Sequence, residues 1–514
     1  MRAIINWTLF SFLTLSLLCC CGKNEDPDDK GNNTIEAPTA ITAEPSSIAA
    51  EQAGGTFSVK LTAPARPKVS GFPSWITYKD GTFNSNTYQM TVTLTVSANG
   101  STSERSADLT VSAKGADAIA IRVSQPGKEV IVNPDTLPDN TAVNRTMELG
   151  LGWNLGNHFD AYYNGVSNET VWGNPKATQA TFNGVKAAGF TTVRIPVTWM
   201  GHIGNAPDYK IEDAWMNRVY EVVGYAENAG LNVILNTHHD EDHNEGHWQN
   251  LANAVDSEEA NTQIKAEIAA VWGQIAEKFK DKGDFLMLES FNELIYKSEW
   301  YSSSNTEKRC NVINEWNQVF VDAVRATGGN NATRWLGVPG YAASPNFLKY
   351  LTVPEDPANK TMLAFHCYDP YDYTIGDKQL PDWGHTGTSF PNGEEEIKAL
   401  FHGIYTNYIE KDIPIYMGEF GCSLRDKNNA KAWAYYLYYL EYVVKCAKTY
   451  GIAPILWDNG AKGYGKECHA YIDHGTGQYI GNSQPAVAAM VKAWKTDSEG
   501  YTLQTIYNSA PTNK

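Results

Sequence analysis

Basic clusters, long apolar runs, paired cysteines and glycine-rich phosphate loops are all scarce in this sequence. Lys and Arg number 41 against 58 Asp and Glu, a formal net charge of -17, and no basic run follows the first residues. A chain of that sign repels phosphate backbones and anionic headgroups, which argues against nucleic acid and anionic membrane surfaces as partners. The apolar stretch Ile4–Leu18 is short for a spanning helix, which needs about 20 apolar residues. Three of the 8 cysteines stand together at Cys19-Cys20-Cys21. The others, Cys310, Cys367, Cys422, Cys446 and Cys468, are odd in number and lack metal-ligand spacing, so buried free thiols are expected. No HExxH-like helical spacing is present. Aromatics, by contrast, are abundant, with 15 Trp and 28 Tyr. They read either as packing or as flat faces for apolar rings in a pocket.

At 514 residues the chain is too long for one compact domain of average size. Residues 1–21 have the pattern of an export signal: a charged start at Arg2, an apolar stretch, then the cysteines. Leu17-Leu18-Cys19-Cys20-Cys21-Gly22 resembles a bacterial lipobox, with a cysteine in the place of the small residue that should precede the lipidated one. Cys21, or else Cys20, is the expected lipidated residue. The acidic Glu25-Asp26-Pro27-Asp28-Asp29 resembles the export tag of Bacteroidetes-type surface lipoproteins. These resemblances imply a lipoprotein on the outer membrane of a Gram-negative bacterium, held at the cell surface by its N-terminal lipid; separately, a monomer is expected. A cleaved secretory peptide, with a periplasmic or secreted product, is the alternative.

Residues 22–40 are polar, acidic and rich in Asn and Pro, and read as a disordered tether. Over 41–127 the pattern changes to β. Thr56–Leu61, Gln89–Val96, Ser106–Val111 and Ala118–Val123 partly alternate apolar and polar residues between Gly-, Asp- and Asn-containing turns. A small immunoglobulin-like antiparallel sandwich is expected. Pro73-Ser74-Trp75-Ile76, Arg105 and Ser124-Gln125-Pro126 resemble a BACON domain. Trp75 reads as a core side chain rather than a sugar platform, and the module as a spacer.

Residues 128–145 carry Pro134 and Pro138 and read as a linker. From 146 to 514, strand-length apolar runs alternate with helical patterns. Eight runs stand out: Gly150–Gly156, Thr192–Val197, Asn232–Thr237, Phe285–Phe291, Trp335–Pro339, Met362–Cys367, Ile413–Glu419 and Ile452–Trp457. Helical stretches such as Pro175–Ala188, Asp213–Ala229, Glu258–Lys280, Thr306–Ala326, Glu394–Glu410 and Ala430–Tyr450 separate them, several ending at a glycine. Eight strand–helix units predict a (β/α)8 TIM barrel with enlarged loops. An open doubly wound sheet is the alternative, disfavoured because no glycine-rich phosphate fingerprint follows the first strand.

Barrel active sites gather at the C-terminal strand ends. Read in order, those ends carry Asn154 and Asn157, Arg194, His238 and His239, Asn292 and Glu293, His366 and Tyr368, Glu419, and Trp457. Glu293 and Glu419 each close an apolar run. Two carboxylates side by side at strand ends are what a retaining glycosidase needs, one to protonate the leaving oxygen and one to attack the sugar carbon. His238-His239-Asp240 with Asp242-His243 invites a metal reading, but neighbouring strand residues face opposite sides and hydroxyl binding explains the cluster better.

Gly152-Trp153-Asn154-Leu155-Gly156-Asn157, Val193-Arg194-Ile195-Pro196, Asn236-Thr237-His238-His239-Asp240, Phe291-Asn292-Glu293, His366-Cys367-Tyr368-Asp369-Pro370-Tyr371, Gly418-Glu419-Phe420-Gly421 and Leu456-Trp457-Asp458-Asn459-Gly460 resemble glycoside hydrolase family 5, in detail its subfamily 4 of endo-β-1,4-glucanases and xyloglucanases. That resemblance spans about residues 145–500. It implies an acid/base on the fourth strand (Glu293), a nucleophile on the seventh (Glu419), retention of configuration, and no metal or other cofactor. With physical argument it suggests roles for neighbours. Arg194 and Tyr368 would favour an ionised Glu419, Asn292 would meet the sugar 2-hydroxyl, and His366 would tune Glu293. His238 and His239 would bind hydroxyls, and Trp457 would floor the reacting subsite. Trp172, Trp248 and Trp383, on loops after strands 1, 3 and 6, read as loop anchors or sugar-stacking faces. Cys367, between His366 and Tyr368, should point away from them. The expected substrate is xyloglucan, then unbranched or mixed-linkage β-glucan. Enzymes on β-mannan or xylan, and a non-catalytic glycan-binding surface protein, are the rivals.

Overall fold

The computed structural model describes residues 36–128, 131–241, 247–301 and 305–512. The export signal, the lipidation cysteines, residues 22–35 of the tether, and Asp242 and His243 lie outside the described residues. The chain divides into two compact units, one ending at Val130 and the other beginning at Ile131.

The first unit is all β. One four-stranded antiparallel sheet runs in the order Thr42–Glu44, Gly55–Thr62, Gln89–Val96, Ile76–Lys79. The other runs Ser47–Ala49, Ala116–Gln125, Arg105–Ala113, Lys68–Ser70, with its first pair parallel. The sequence pattern shows the four longest strands. It does not show Thr42–Glu44, Ser47–Ala49, Lys68–Ser70 or Ile76–Lys79, which are too short for alternation to register. Alternate residues point inward: Val59 and Leu61 of one sheet share a core with Met90, Val92 and Leu94, and with Leu109, Val111, Ile121 and Val123 of the other. Trp75 is only half-buried and packs against the edge of that core. The Arg105 guanidinium lies 4.5 Å from the centre of its ring and donates to the Ser97 carbonyl at 2.7 Å.

The second unit is a closed parallel barrel. Its strands are β1 (Gly152–Asn154), β2 (Thr192–Ile195), β3 (Asn232–Asn236), β4 (Leu286–Glu289), β5 (Leu336–Pro339), β6 (Thr361–Cys367), β7 (Ile415–Phe420) and β8 (Ala453–Leu456), with β8 pairing back onto β1. Each lies within one of the apolar runs read from the sequence or extends it by a single residue. Helices Gln179–Ala188, Asp213–Asn228, Glu258–Phe279, Thr306–Ala326, Gly393–Asn407 and Ala430–Thr449 follow β1, β2, β3, β4, β6 and β7, whereas β5 is followed by the 3-10 turns Tyr341–Ala343 and Pro345–Tyr350 in place of the α-helix that a regular strand–helix repeat predicts. Gly189 ends the first of them with φ 110°, a left-handed conformation that a Cβ would penalise. A further helix, Thr141–Leu149, begins inside the segment read as a linker and is capped by the Asn140 side chain.

Side chains that alternate along the strands make two apolar layers. Ile234, Met287, Met362, Ala364, Tyr416, Ala453 and Ile455 fill the barrel interior. Val193, Val233, Leu288, Phe365, Met417 and Phe420 face outward to the helices. The five cysteines in the described residues are free thiols, and all but Cys468 are buried. Among the described residues no helix is long and apolar enough to cross a membrane.

Candidate active site

The barrel interior closes at its C-terminal end with polar rather than apolar side chains. Arg194, from β2, is fully buried and spreads its guanidinium over four partners. Nη1 donates to Glu419 Oε1 at 2.8 Å and to Asn154 Oδ1 at 3.1 Å. Nη2 donates to Glu289 Oε1 at 2.6 Å and to Asn292 Oδ1 at 2.9 Å. Nε donates to both Glu289 oxygens at 3.1 Å. One planar cation therefore ties β1, β2, β4 and β7 together.

Glu289 is the residue the sequence reading passed over. It ends β4, with Tyr416 Oη donating to it at 2.6 Å and Asn236 Nδ2 at 3.1 Å. Burial opposes its charge, but Arg194 and then Tyr416 hold its carboxyl below the ordinary range. The signal was present: an acidic residue inside the otherwise apolar Phe285–Leu288 and Phe291 surroundings has to find a buried cation.

Glu419 reaches the site through an irregularity in β7. Along that strand Tyr416 faces the interior and Met417 faces out. Strict alternation would then send Glu419 outward. Instead the pairing with β6 slips: Phe365 opposes Met417, and His366 opposes Glu419, leaving Gly418 as the extra residue of a bulge. A Cβ on Gly418 would stand 3.0 Å from His366 Nε2. Glycine thus leaves room for the His366 ring beside the bulge.

The result is a compact group. An oxygen of Glu293, a ring nitrogen of His366 and an oxygen of Glu419 lie within 4.8 Å of one another. His366 Nδ1 is 2.6 Å from Glu293 Oε1 and 3.7 Å from Glu419 Oε2. Tyr368 Oη donates to Glu419 Oε2 at 2.9 Å. The two glutamates differ in their surroundings. Burial pushes the Glu293 carboxyl up to about 7, with His239 and Arg194 pulling weakly the other way. Burial also raises Glu419, but His366 and Arg194 oppose it and the Tyr368 hydroxyl donates to the charged form. Of the pair, Glu419 has the direct cation and the phenol, so it ionises first. Burial drops His366 to about 4, which leaves its imidazole neutral near pH 7.

Aromatic and histidine side chains frame the pair. Trp457, after β8, lies parallel to the His238 ring, with 6° between planes and 5.9 Å between centres. Burial and its neighbour His239 keep His238 well below the usual histidine range. Burial would lower His239 too, yet Glu241 at 3.3 Å and Asp160 at 3.9 Å lift it. Asn157 has φ 53°, tolerable for asparagine, and its N–H donates to Asp160. Trp172 is 42% exposed, with its ring 5.8 Å from His239, so its face borders the cleft. Trp248 is half-buried against the outer apolar layer. Trp383 is fully buried against Tyr438, Tyr439 and Tyr442, an anchor and not a stacking face. Cys367 joins the outer layer, facing away from His366 as alternation requires.

Among the described residues, Asp160, His238 and His239 form the other trio whose ligand atoms approach within 4.8 Å. Asp160 already accepts from the backbone N–H of Asn157 and His158 at 2.9 and 2.6 Å, which makes it a brace for the loop after β1.

A family model described as cellulase (glycosyl hydrolase family 5) matches residues 156–463, more than half of the chain. The chain belongs to glycosyl hydrolase family 5. This family 5 chain also matches the BACON model, an N-terminal binding-domain family, over residues 68–125. It is 38% identical to Endoglucanase A of Ruminococcus albus over 349 residues, 66% of the chain and 89% of that protein. It is 33% identical over 473 residues to a xyloglucan-specific endo-β-1,4-glucanase of Bacteroides ovatus, covering 87% of the chain and 90% of the relative. Among solved structures, a Bacteroidetes-affiliated family 5 cellulase linked with a polysaccharide utilization locus superposes with a TM-score of 0.70 at 45% identity, over 73% of this chain and 98% of that one. The protein is a glycoside hydrolase whose family 5 barrel follows an all-β module in the chain.

Proposed function

We propose that this glycoside hydrolase is an endo-acting, retaining β-1,4-glucanase that cleaves the backbone of xyloglucan by double displacement. The observation that carries the mechanism is the close approach of Glu293 and Glu419 in unlike surroundings. Retaining glycosidases hold their carboxyl groups about 5–5.5 Å apart, whereas inverting ones leave about 6.5–9.5 Å for a water. An approach within 4.8 Å fits attack by the carboxylate itself.

Glu293, protonated below about pH 7, gives its proton to the glycosidic oxygen as that bond breaks. Glu419 forms a bond to the anomeric carbon, and the sugar becomes esterified to it. Glu293, now a carboxylate, takes a proton from water, which attacks the same carbon and frees Glu419. Arg194 and Tyr368 hold Glu419 in position and favour its charge before attack and after release. His366, neutral, sits on Glu293 and receives or gives a hydrogen bond as that carboxyl changes state. Asn292 is held by Arg194, its amide available to the sugar 2-hydroxyl. Trp457 offers its face to the reacting ring, and His238 and His239 meet hydroxyls on the non-reducing side.

Xyloglucan is preferred because the relative that aligns across both units acts on it. A second reading, cellulase or mixed-linkage glucanase, is favoured by the 45% identical cellulase structure. The N-terminal pattern supports a lipid anchor on Cys21 or Cys20 and an outer-membrane surface location. Product release from xyloglucan, carboxymethylcellulose, mixed-linkage glucan and β-mannan, measured side by side, tests the substrate. Faster release from xyloglucan than from unbranched glucans is expected. Activity on unbranched glucan with none on xyloglucan would move the assignment to the second reading.

A further inference from the structure

A second concavity opens on the same face of the barrel, between the loops that follow β7 and β8. Its volume is about 570 Å³, within the range of small-molecule sites. None of its lining residues belongs to the group around Glu293 and Glu419. Three aromatic side chains from three different segments line it: Trp433 from the helix Ala430–Thr449, Tyr464 from the loop after β8, and Tyr479 from a turn further along. Lys427, Gln478 and Asn482 supply polar groups around them.

Two of those aromatics are exposed in a way that packing does not explain. Tyr464 is 59% and Tyr479 38% exposed. The backbone that carries them is nonetheless braced. Tyr479 pairs across a bridge with Ile472 in a turn braced by Asp473, whose Oδ1 accepts from the backbone N–H of Gly475 and Thr476 and from the Thr476 hydroxyl at 2.9 to 3.2 Å. The Tyr464 hydroxyl lies 3.5 Å from Asp426 Oδ1, and Lys427 Nζ lies 3.1 Å from Asn482 Oδ1. Exposed aromatic faces on a braced backbone lower the ordering cost of binding a partner.

A β-linked glucose unit has the matching chemistry: apolar C–H faces above and below, and hydroxyls around the rim. Rings stack on aromatics while amide and ammonium groups take the hydroxyls. We infer that this concavity is a second β-1,4-glucan-binding site, which holds a neighbouring stretch of polymer beside the catalytic cleft and takes no part in bond cleavage. The inference rests on the glucanase reading, because it assumes that the polymer already engages this face.

The test uses the full chain carrying Tyr464→Ala and Tyr479→Ala together. Both side chains are exposed, so the fold is expected to survive, and circular dichroism and melting check it. Retardation in gels containing xyloglucan or hydroxyethylcellulose is measured with Glu419→Gln added to prevent cleavage. The double variant should bind the polymers about tenfold more weakly, as expected from losing two aromatic contacts. On a short aryl cellotrioside, with Glu419 restored, kcat/KM should be unchanged. Unchanged retardation would overturn the site. A parallel fall on the short substrate would also overturn it, by making the concavity part of the cleft. Wild type that releases no reducing ends from either polymer is a different failure, that of the glucanase reading.

Discussion

Glu289→Gln removes one charge and almost no volume, and its consequences follow from the contacts of this carboxylate. Both Glu289 oxygens accept, from Arg194 Nε and Nη2, Asn236 Nδ2 and Tyr416 Oη, at 2.6 to 3.1 Å. An amide turns one acceptor into an NH2 group that faces donors, and it leaves buried Arg194 with Glu419 as its one anionic contact. Breaking a buried ion pair from one side costs about 3–5 kcal/mol. The barrel unit runs from Ile131 to Lys514. At about 2.1 cal/mol/K per residue its unfolding entropy is about 0.8 kcal/mol/K, so the melting temperature should fall by about 4–6 °C. Arg194 would then act undivided on Glu419 and lower its pKa, so the acid limb of kcat/KM should move to lower pH while kcat drops. Calorimetry and a pH series read both effects. A variant with unchanged melting and an unmoved acid limb would refute the idea that Glu289 divides the Arg194 charge.

Glu419→Gln should reduce kcat by at least about 10⁴-fold while polymer binding persists, because the nucleophile is lost and the cleft is not. Tyr368→Phe removes a hydrogen bond to a charged oxygen, worth about 1.5–3 kcal/mol, so kcat should fall about 10- to 150-fold with KM little changed. The pH profile should be bell-shaped. Activity needs Glu293 protonated, so it falls tenfold per unit as pH rises beyond about 7; it needs Glu419 ionised, so it also falls on the acid side, at a pH raised by burial. A profile flat from pH 6 to 9 would contradict the assignment of Glu293. Trp75→Ala, which removes a half-buried side chain from the all-β unit, should leave kcat/KM on soluble substrate unchanged.

The barrel was legible because its strands are buried on both faces and so read as unbroken apolar runs separated by helical periods. The three-residue strands Ser47–Ala49 and Lys68–Ser70 escaped because they cannot show a period, and the helix Thr141–Leu149 was partly read as linker. At the site, strand ends located Arg194, Glu293, His366, Tyr368 and Glu419. The means by which Glu419 turns inward was hidden, since a bulge at Gly418 changes side-chain parity without changing composition. Glu289 was hidden for a different reason. Its meaning depends on Arg194, 95 residues away, and a pairing at that separation leaves no local pattern. Trp383 could be read from sequence as an anchor or a stacking face, and what decides for the anchor, the tyrosines of Ala430–Thr449, comes from a distant helix.

The most direct test of the double displacement is the anomeric form of the first product, followed by proton NMR during hydrolysis of a cello-oligosaccharide before mutarotation intervenes. The close pair Glu293 and Glu419 predicts that the β-anomer appears first and decays to the equilibrium mixture. Initial formation of the α-anomer would mean that water attacks the sugar directly, and would contradict Glu419 as nucleophile.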